Sequence, residues 1–331
     1  MPPATSYRPT PESALVPEEN EKPERLRKIT EKIIGLPTLP IIVTRLIDLV
    51  GNPKTSAGDL DHLISADQAL SAKILKVANS AFYGFPRRIA TVKLAIVVLG
   101  FEAVKNIGLS VALLDRFPEG EAHDLFDRRQ FWTHAIGCGA AARLLARRLR
   151  YRLEAEAFVA GILHDLGKLI LVEYFQEKFL SAVRLARSEN LYIARAEEMV
   201  LGVTHAEVGG WLAEKWNLPK QLVEVIARHH GPFPENEGLD AAEKPLDLTC
   251  IVHAADALCR SRGIGNSGDN RGPALHPYVA RLFRKGQEMS DEALLDLLGD
   301  RLEEEIGRAE IFRSWSDNKG ETENDNVDRD P

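Results

Sequence analysis

The strongest constraint on this chain is the period of its apolar residues, which is helical almost throughout. From Leu36 onward, Leu39, Val43, Leu46 and Val50 recur every three or four positions until Gly51-Asn52-Pro53 stops the run. Ser56 followed by Asp59 is a helix-start signature for the stretch Leu60, Leu63, Ile64 and Ala66, leading on towards Leu70. Ser71 to Ala81 repeats the period and ends at Tyr83-Gly84-Phe85-Pro86, Thr91 to Leu99 fits another helix, and a further one begins near Phe101. After a polar break around Pro118 to Asp127, helical patterns cover Phe131–Leu149, Glu154–Leu163, Leu166–Phe175 and Lys178–Ser188. They continue at Ile193–Val200, His205–Lys215, Lys220–Ala227 and Asp247–Arg260. No run alternates with the period of two that a half-buried strand requires. The chain reads as all-α.

Composition sets the outer limits. At 331 residues, 44% hydrophobic and 27% charged, the chain has material for two domains, or one large domain with a helical extension. The formal charge of −7 places −2 in residues 1–25 and −4 in residues 316–331, which leaves a nearly neutral body. A nucleic-acid footprint calls for a strongly basic domain, so that class of partner is disfavoured. No stretch approaches the ~18 apolar residues of a membrane span; the best candidate, Leu94 to Phe101, is bracketed by Lys93 and Glu102. The opening residues lack the basic-then-apolar order of a secretion signal. Cys138, Cys250 and Cys259 are odd in number and scattered, which suits a reducing cytoplasm better than a disulfide framework.

The chemistry-bearing residues are histidines and acids on successive predicted helices: His134, His164-Asp165, His205, the pair His229-His230, and Asp256 three residues after His253. Each is weak evidence alone. Together, helices that each offer one or two inward imidazoles or carboxylates can build a metal site inside a bundle. Neutral imidazole and carboxylate suit Fe, Mn, Zn or Mg, and adjacent His164 and Asp165 can reach one ion, or two if the carboxylate bridges. A metal-bound water is a nucleophile at neutral pH, and a two-ion site can clamp a phosphate. Lys168, one turn after Asp165, is placed to hold a substrate phosphate as a point charge.

The order His, His-Asp, His, His-His, Asp resembles the HD phosphohydrolase superfamily and its HD-GYP signalling branch, and resembles most closely the HDOD family. The resemblance is carried by GLPTLPIIVTRLIDLVGNP (35–53), ISADQALSAKILKVANSAFYG (64–84), FWTHAIGCGAAARLLAR (131–147), AFVAGILHDLGK (157–168), THAEVGGWLAEKWNLP (204–219) and IARHHG (226–231). It spans about residues 29 to 234. It implies a two-lobed helical fold and a regulatory role in bacterial signal transduction. By position it makes His134, His164, Asp165 and Asp256 a first metal set, with His205, His229 and His230 supplying a second ion. Two departures stand out. Gly231-Pro232-Phe233-Pro234 follows the histidine pair in place of the Glu and Gly-Tyr-Pro signature of cyclic-di-GMP phosphodiesterases, which argues against that hydrolysis. Gln68 follows Asp67 where the family usually has proline, a change expected to alter only a local turn.

The plainer readings stay open beside these. A buried His134 can simply bond a carbonyl, His205 can cap a helix, and His229 and His230 can complement a helix dipole. Lys168 can be a helix C-terminal charge, Cys138 a small buried thiol, and Arg143, Arg147, Arg148, Arg150 and Arg152 a solvated face. The Gly-rich stretch Gly263 to Pro273 reads as a plain connector, because no strand or lysine pattern accompanies it. The chain thus divides into a disordered tail (1–28), an N-terminal helical lobe (29–130), an HD-like lobe (131–260), a helical extension (261–312) and an acidic disordered tail (313–331). The expected function is a regulator that holds divalent metal or a phosphate-bearing ligand and meets a protein partner. The alternative is an active metal-dependent phosphohydrolase acting on a nucleotide or cyclic dinucleotide, with Asp165 and Lys168 as its catalytic pair.

Overall fold

Helix-start chemistry sets much of the local structure. Ser56 accepts from the Asp59 N–H at 3.2 Å while Asp59 accepts from the Ser56 N–H at 2.9 Å, a reciprocal cap that satisfies two otherwise orphaned donors. Asp67 accepts from the Leu70 N–H at 2.9 Å, so Gln68 simply opens the next helix. The computed structural model describes residues 22–33, 41–52, 54–117, 124–233, 247–266, 268–271 and 275–315. Among these, α1 (Lys22–Thr30), α2 (Ile41–Gly51), α3 (Ala57–Ser65), α4 (Gln68–Ala78), α5 (Val92–Leu99) and α6 (Phe101–Arg116) come first. Then follow α7 (Arg128–Arg148), α8 (Glu154–Leu163), α9 (Leu166–Tyr174), α10 (Gln176–Ser188), α11 (Ile193–Leu201), α12 (His205–Lys215), α13 (Lys220–Arg228) and α14 (Leu248–Ser261). The short helices α15 (Pro277–Arg284), α16 (Asp291–Leu298) and α17 (Leu302–Ala309) run into a 3-10 turn at Glu310–Trp315. No strand occurs among the described residues, and the all-α expectation holds.

Helices α2 to α6 pack on one another around Leu46, Leu60, Ile64, Ile74, Ile107 and Leu109, all buried. The second group is centred on α7, against which α8, α14 and α17 lie. The joint between the groups runs through the α4–α5 connection. There Asn79 bonds both the N–H and the carbonyl of Ile89, at 2.7 and 2.8 Å, and holds the loop that presents Phe82. Arg143 of α7 stacks 3.9 Å above the Phe82 ring and donates to the Phe82 carbonyl at 3.1 Å. This agrees with reading Asn79 to Tyr83 as helix-ending and packing residues.

Three expectations need correction. The arginine run is solvated at Arg150 and Arg152 but is not a free face throughout: Arg143 stacks on Phe82, and Arg147, though exposed, pairs with Glu154 and Glu305. Arg148 bonds the Leu297 and Asp300 carbonyls, so the run clips α16 and α17 onto α7. The Gly-rich stretch is not a plain connector. Asn266 N–H bonds the Gln130 carbonyl at 3.1 Å, and a Cβ on Gly265 would lie 2.3 Å from the His134 backbone nitrogen, so this strap lies directly on α7. Lys22 to Lys28 belong to α1, not to a tail; residues 1–21 and 316–331, with most of the loop Gly231 to Pro245, lie outside the described residues.

Candidate metal centre

Five elements deliver the histidine and acid side chains to one place. His134 comes from α7, Asp256 from α14, and His164-Asp165 from the junction where α8 ends and α9 begins. His205 opens α12, fixed there by the cap in which Thr204 and Glu207 bond each other's backbone. His229 and His230 follow the end of α13. Two glycines permit the approach. A Cβ on Gly161 would sit 2.6 Å from the Cys138 carbonyl oxygen on α7, and one on Gly167 would sit 1.9 Å from the His205 carbonyl oxygen. Only a hydrogen fits at either crossing, and only at that spacing do such short side chains meet.

Second partners fix which nitrogen of each ring faces inward. A carbonyl can only accept, so His134 Nδ1 donates to Ile264 at 3.1 Å, His164 Nδ1 to Gly161 at 2.7 Å and His229 Nδ1 to Ile226 at 3.0 Å. His205 Nδ1 lies 2.6 Å from Glu197 Oε2, which also accepts the His205 backbone N–H. In the neutral ring each Nε2 therefore carries a lone pair, and all four point into the same cluster. Asp165 Oδ1 lies 3.2 Å from His205 Nε2 and 3.5 Å from His229 Nε2, while its Oδ2 lies 3.4 Å from His164 Nε2. These are proximities without hydrogen-bond geometry, for His164 Nε2 and Asp165 Oδ1 are buried without a hydrogen-bond partner. His205 Nε2 also lies 3.1 Å from His230 Nε2 and 3.3 Å from His229 Nε2.

Converging lone pairs and carboxylates with few protons between them are costly unless a cation joins them. The donors sort into two groups with mutual separations within 4.8 Å: His134, Cys138, His164 and Asp256, and Asp165, His205, His229 and His230. Divalent metal fits this set, and the Glu197–His205 and Ile264–His134 bonds are of the kind that would orient imidazoles toward an ion. Burial disfavours a charged His229, which falls to about 4 despite Asp165 beside it. Desolvation, then the neighbouring rings of His229 and His205, holds His230 well below the usual histidine range, although its outer edge is exposed. Burial works against a charged His134 as well, yet the Cys138 sulfur and Asp256 outweigh it and raise His134 to about 10. A proton on Nε2 then bridges to Asp256 Oδ1 at 3.0 Å, the position a metal ion would contest.

Burial by itself would raise both aspartates, but His164 and Lys168 hold Asp165 well below the usual range, and Arg260 and His134 do the same for Asp256. Lys168 Nζ lies 2.7 Å from Asp165 Oδ2, fully buried in the first turn of α9, so it is not a helix C-terminal charge. Arg260 spans Asp256 at 3.0 Å and Asp269 at 2.7 Å. With every imidazole neutral, as ligation requires, four acids (Asp165, Glu197, Asp256, Asp269) against two bases (Lys168, Arg260) put the buried cluster at −2, and the proton on His134 lifts the metal-free cluster above that.

The structure thus gathers all seven nominated ligands, but groups them differently from the expected sets: Asp165 stands between the groups, one oxygen toward each. His253 turns away, its Nδ1 on the His229 carbonyl at 2.8 Å and its Nε2 accepting the His276 N–H at 3.0 Å. Three members went unread. Glu197 shares the buried stripe of α11 with Ile193, Ala196 and Leu201, and an acid on an apolar stripe was the available signal. Arg260 lies one turn after Asp256. Asp269, whose other oxygen accepts the Ile193 N–H at 2.8 Å, sits in the strap that reads as a connector and carries no signal in the sequence.

The fold and this site define an all-helical protein with a buried cluster of histidines and acids. The family model "HDOD domain" matches residues 36–232, and the chain belongs to that family. It is 29% identical over 205 residues to an uncharacterized protein of Treponema pallidum, covering 61% of this chain and 39% of that one. It is 25% identical over 210 residues to Ribonuclease Y of Desulfotalea psychrophila, covering 57% and 37%. The chain thus matches about two fifths of the length of these relatives. An HDOD domain protein from Geobacter sulfurreducens has the same fold, with a TM-score of 0.69 at 24% identity over 88% of this chain and 98% of that one. No helix among the described residues is long and apolar enough to cross a membrane.

Proposed function

We propose that this chain is a cytoplasmic regulatory protein of signal transduction whose HD-like lobe, residues 131–260, holds divalent metal in up to two positions. His134, His164 and Asp256 serve one position, His205, His229 and His230 the other, and Asp165 bridges them. The imidazole and carboxylate donors suit Fe, Mn, Zn or Mg, and such an ion supplies Lewis acidity and an activated water when bound. The observation that carries this reading is the buried, unpartnered pair His164 Nε2 and Asp165 Oδ1. Charge favours a phosphate-bearing ligand as well: one divalent ion balances the −2 that the cluster carries once its imidazoles are neutral, and a second calls for an anion. The three unpaired buried cysteines support a reducing compartment.

The N-terminal lobe, residues 29–130, is assigned to a protein partner, with residues 261–312 as an extension that braces α7. A groove lined by Leu75, Lys76, Phe85, Arg87 and Arg88, with Phe85 44% exposed, supports this assignment.

The second reading, a metal-dependent phosphohydrolase, is favoured by Asp165 standing between two donor groups, the layout of a two-ion site. In it Asp165 bridges and Lys168 holds Asp165, or a substrate phosphate, by charge. The test is metal content after anaerobic purification, with phosphodiester and phosphomonoester hydrolysis assayed under Fe, Mn, Mg and Zn. Stoichiometric metal without turnover is the expected result. Turnover abolished by Asp165→Ala establishes the enzyme instead, and a metal-free protein that takes up none of the four ions contradicts both.

A further inference from the structure

We propose that Cys138 is a metal ligand, giving the His134–His164–Asp256 group a sulfur donor and a preference for a thiophilic ion. The inference rests on the metal-centre reading above and goes beyond it by distinguishing the two positions. Cys138 follows His134 by one turn of α7, and its Sγ lies 3.4 Å from His134 Nε2. Both residues are buried, as are His164 and Asp256, and the four donor atoms lie within 4.8 Å of one another. A cysteine in a core is commonly only a small apolar filler. Here it shares its pocket with His164 Nε2, a buried nitrogen without any hydrogen-bond partner, which points independently to a guest at this spot. Cys259 neighbours Cys138 from α14 but contributes no atom to the donor group.

The chemistry separates the two groups. Asp165, His205, His229 and His230 offer only nitrogen and oxygen, a set open to Mn or Mg as well as to Fe or Zn. A thiolate added to two imidazoles and a carboxylate favours Zn, Fe or Co over Mg and Mn. On binding, the thiol S–H breaks, the sulfur electron pair forms the metal–sulfur bond, and the proton leaves to water. No oxidant or reductant is involved. The two positions then accept different ions from one mixture, the Cys138 group taking the softer.

Cobalt(II) reports sulfur ligation directly, through a near-ultraviolet sulfur-to-cobalt charge-transfer band distinct from its visible d–d bands. Full-length protein loaded to saturation with Co(II) under anaerobic conditions is expected to show that band. Cys259→Ser should retain it, whereas Cys138→Ser should lose it and keep the d–d bands of bound cobalt. Should Cys138→Ser fail to fold, X-ray absorption at the zinc edge of the Zn-loaded native protein decides the matter. A sulfur shell at about 2.3 Å supports the proposal, and nitrogen and oxygen shells alone, at about 2.0–2.2 Å, overturn it. Cobalt bound with d–d bands but no charge-transfer band also overturns it while leaving the metal centre intact. No cobalt bound at all removes the metal centre and this ligand with it.

Discussion

The two halves of this molecule are both helical, yet they solve packing in opposite ways. Helices α2 to α6 are held apart by long aliphatic side chains such as Leu46, Ile74 and Leu109, and their buried polar groups (Lys105, Asn106 and Ser110) all lie on α6. Helices α7 to α14 come close enough that Gly161 and Gly167 touch the backbone of their neighbours, and they bury His134, His164, Asp165, Lys168, Glu197, His205, His229 and Asp256. An imidazole or carboxylate is short. Donors from five elements converge only where the backbones are near, so the second half trades bulky filling for proximity and the first keeps the bulk. The first half is built as an aliphatic scaffold, the second as a chamber for charge.

The largest expected effect separates the halves most sharply. Gly167→Ala places a methyl 1.9 Å from the His205 carbonyl oxygen, a backbone atom that cannot give way. Denaturant unfolding should register a loss of about 3 kcal/mol or more, the upper end for overpacking. Gly108→Ala in α6 meets only the ends of side chains, Leu46 at 2.9 Å and Ile74 at 3.5 Å. Its strain is offset by the roughly 1 kcal/mol that Ala gains over Gly in a helix, so stability should change by about 1 kcal/mol or less. Equal losses at the two sites would erase the distinction.

Metal removal should act on one half alone. An ion present at about 100 times its Kd stabilises the folded state by about 2.7 kcal/mol. Chelation should therefore lower the melting temperature and speed amide exchange in α8, α9, α12 and α14, leaving α2 to α6 unchanged. Uniform acceleration through both halves would contradict the assignment. A smaller effect tests the extension: Arg148→Ala removes bonds to the Leu297 and Asp300 carbonyls at a partly exposed site, for a loss of about 1 kcal/mol or less. Amide exchange should rise in α16 and α17, with metal content unaltered.

How much of this was legible in the sequence also differs between features. Helices α8 and α9 could be bounded nearly to the residue, because His164-Asp165 interrupts an otherwise continuous apolar period. Cap chemistry did the same for α3, through Ser56 and Asp59. The membership of the histidine and acid cluster was legible because each nominated residue is a polar group on an apolar face. Its grouping was not, since the position of Asp165 between the two sets depends on how α9 crosses α12 at Gly167. The strap was illegible for a related reason: its work is done by backbone groups, Ile264 carbonyl to His134 and Gly265 against α7, and these leave no mark in residue type. The exposure of the arginine run was legible, but the pairing of Arg147 and Arg148 was not, since Glu305, Leu297 and Asp300 lie about 150 residues away in sequence.

The most direct test of the central claim is crystallographic. Anomalous diffraction from crystals of the full chain loaded with Zn or Mn should place a peak within bonding distance of Asp165 and His164 Nε2, about 2.0–2.2 Å for zinc. Loaded crystals that keep the same side-chain positions, with no anomalous density among them, would contradict the account.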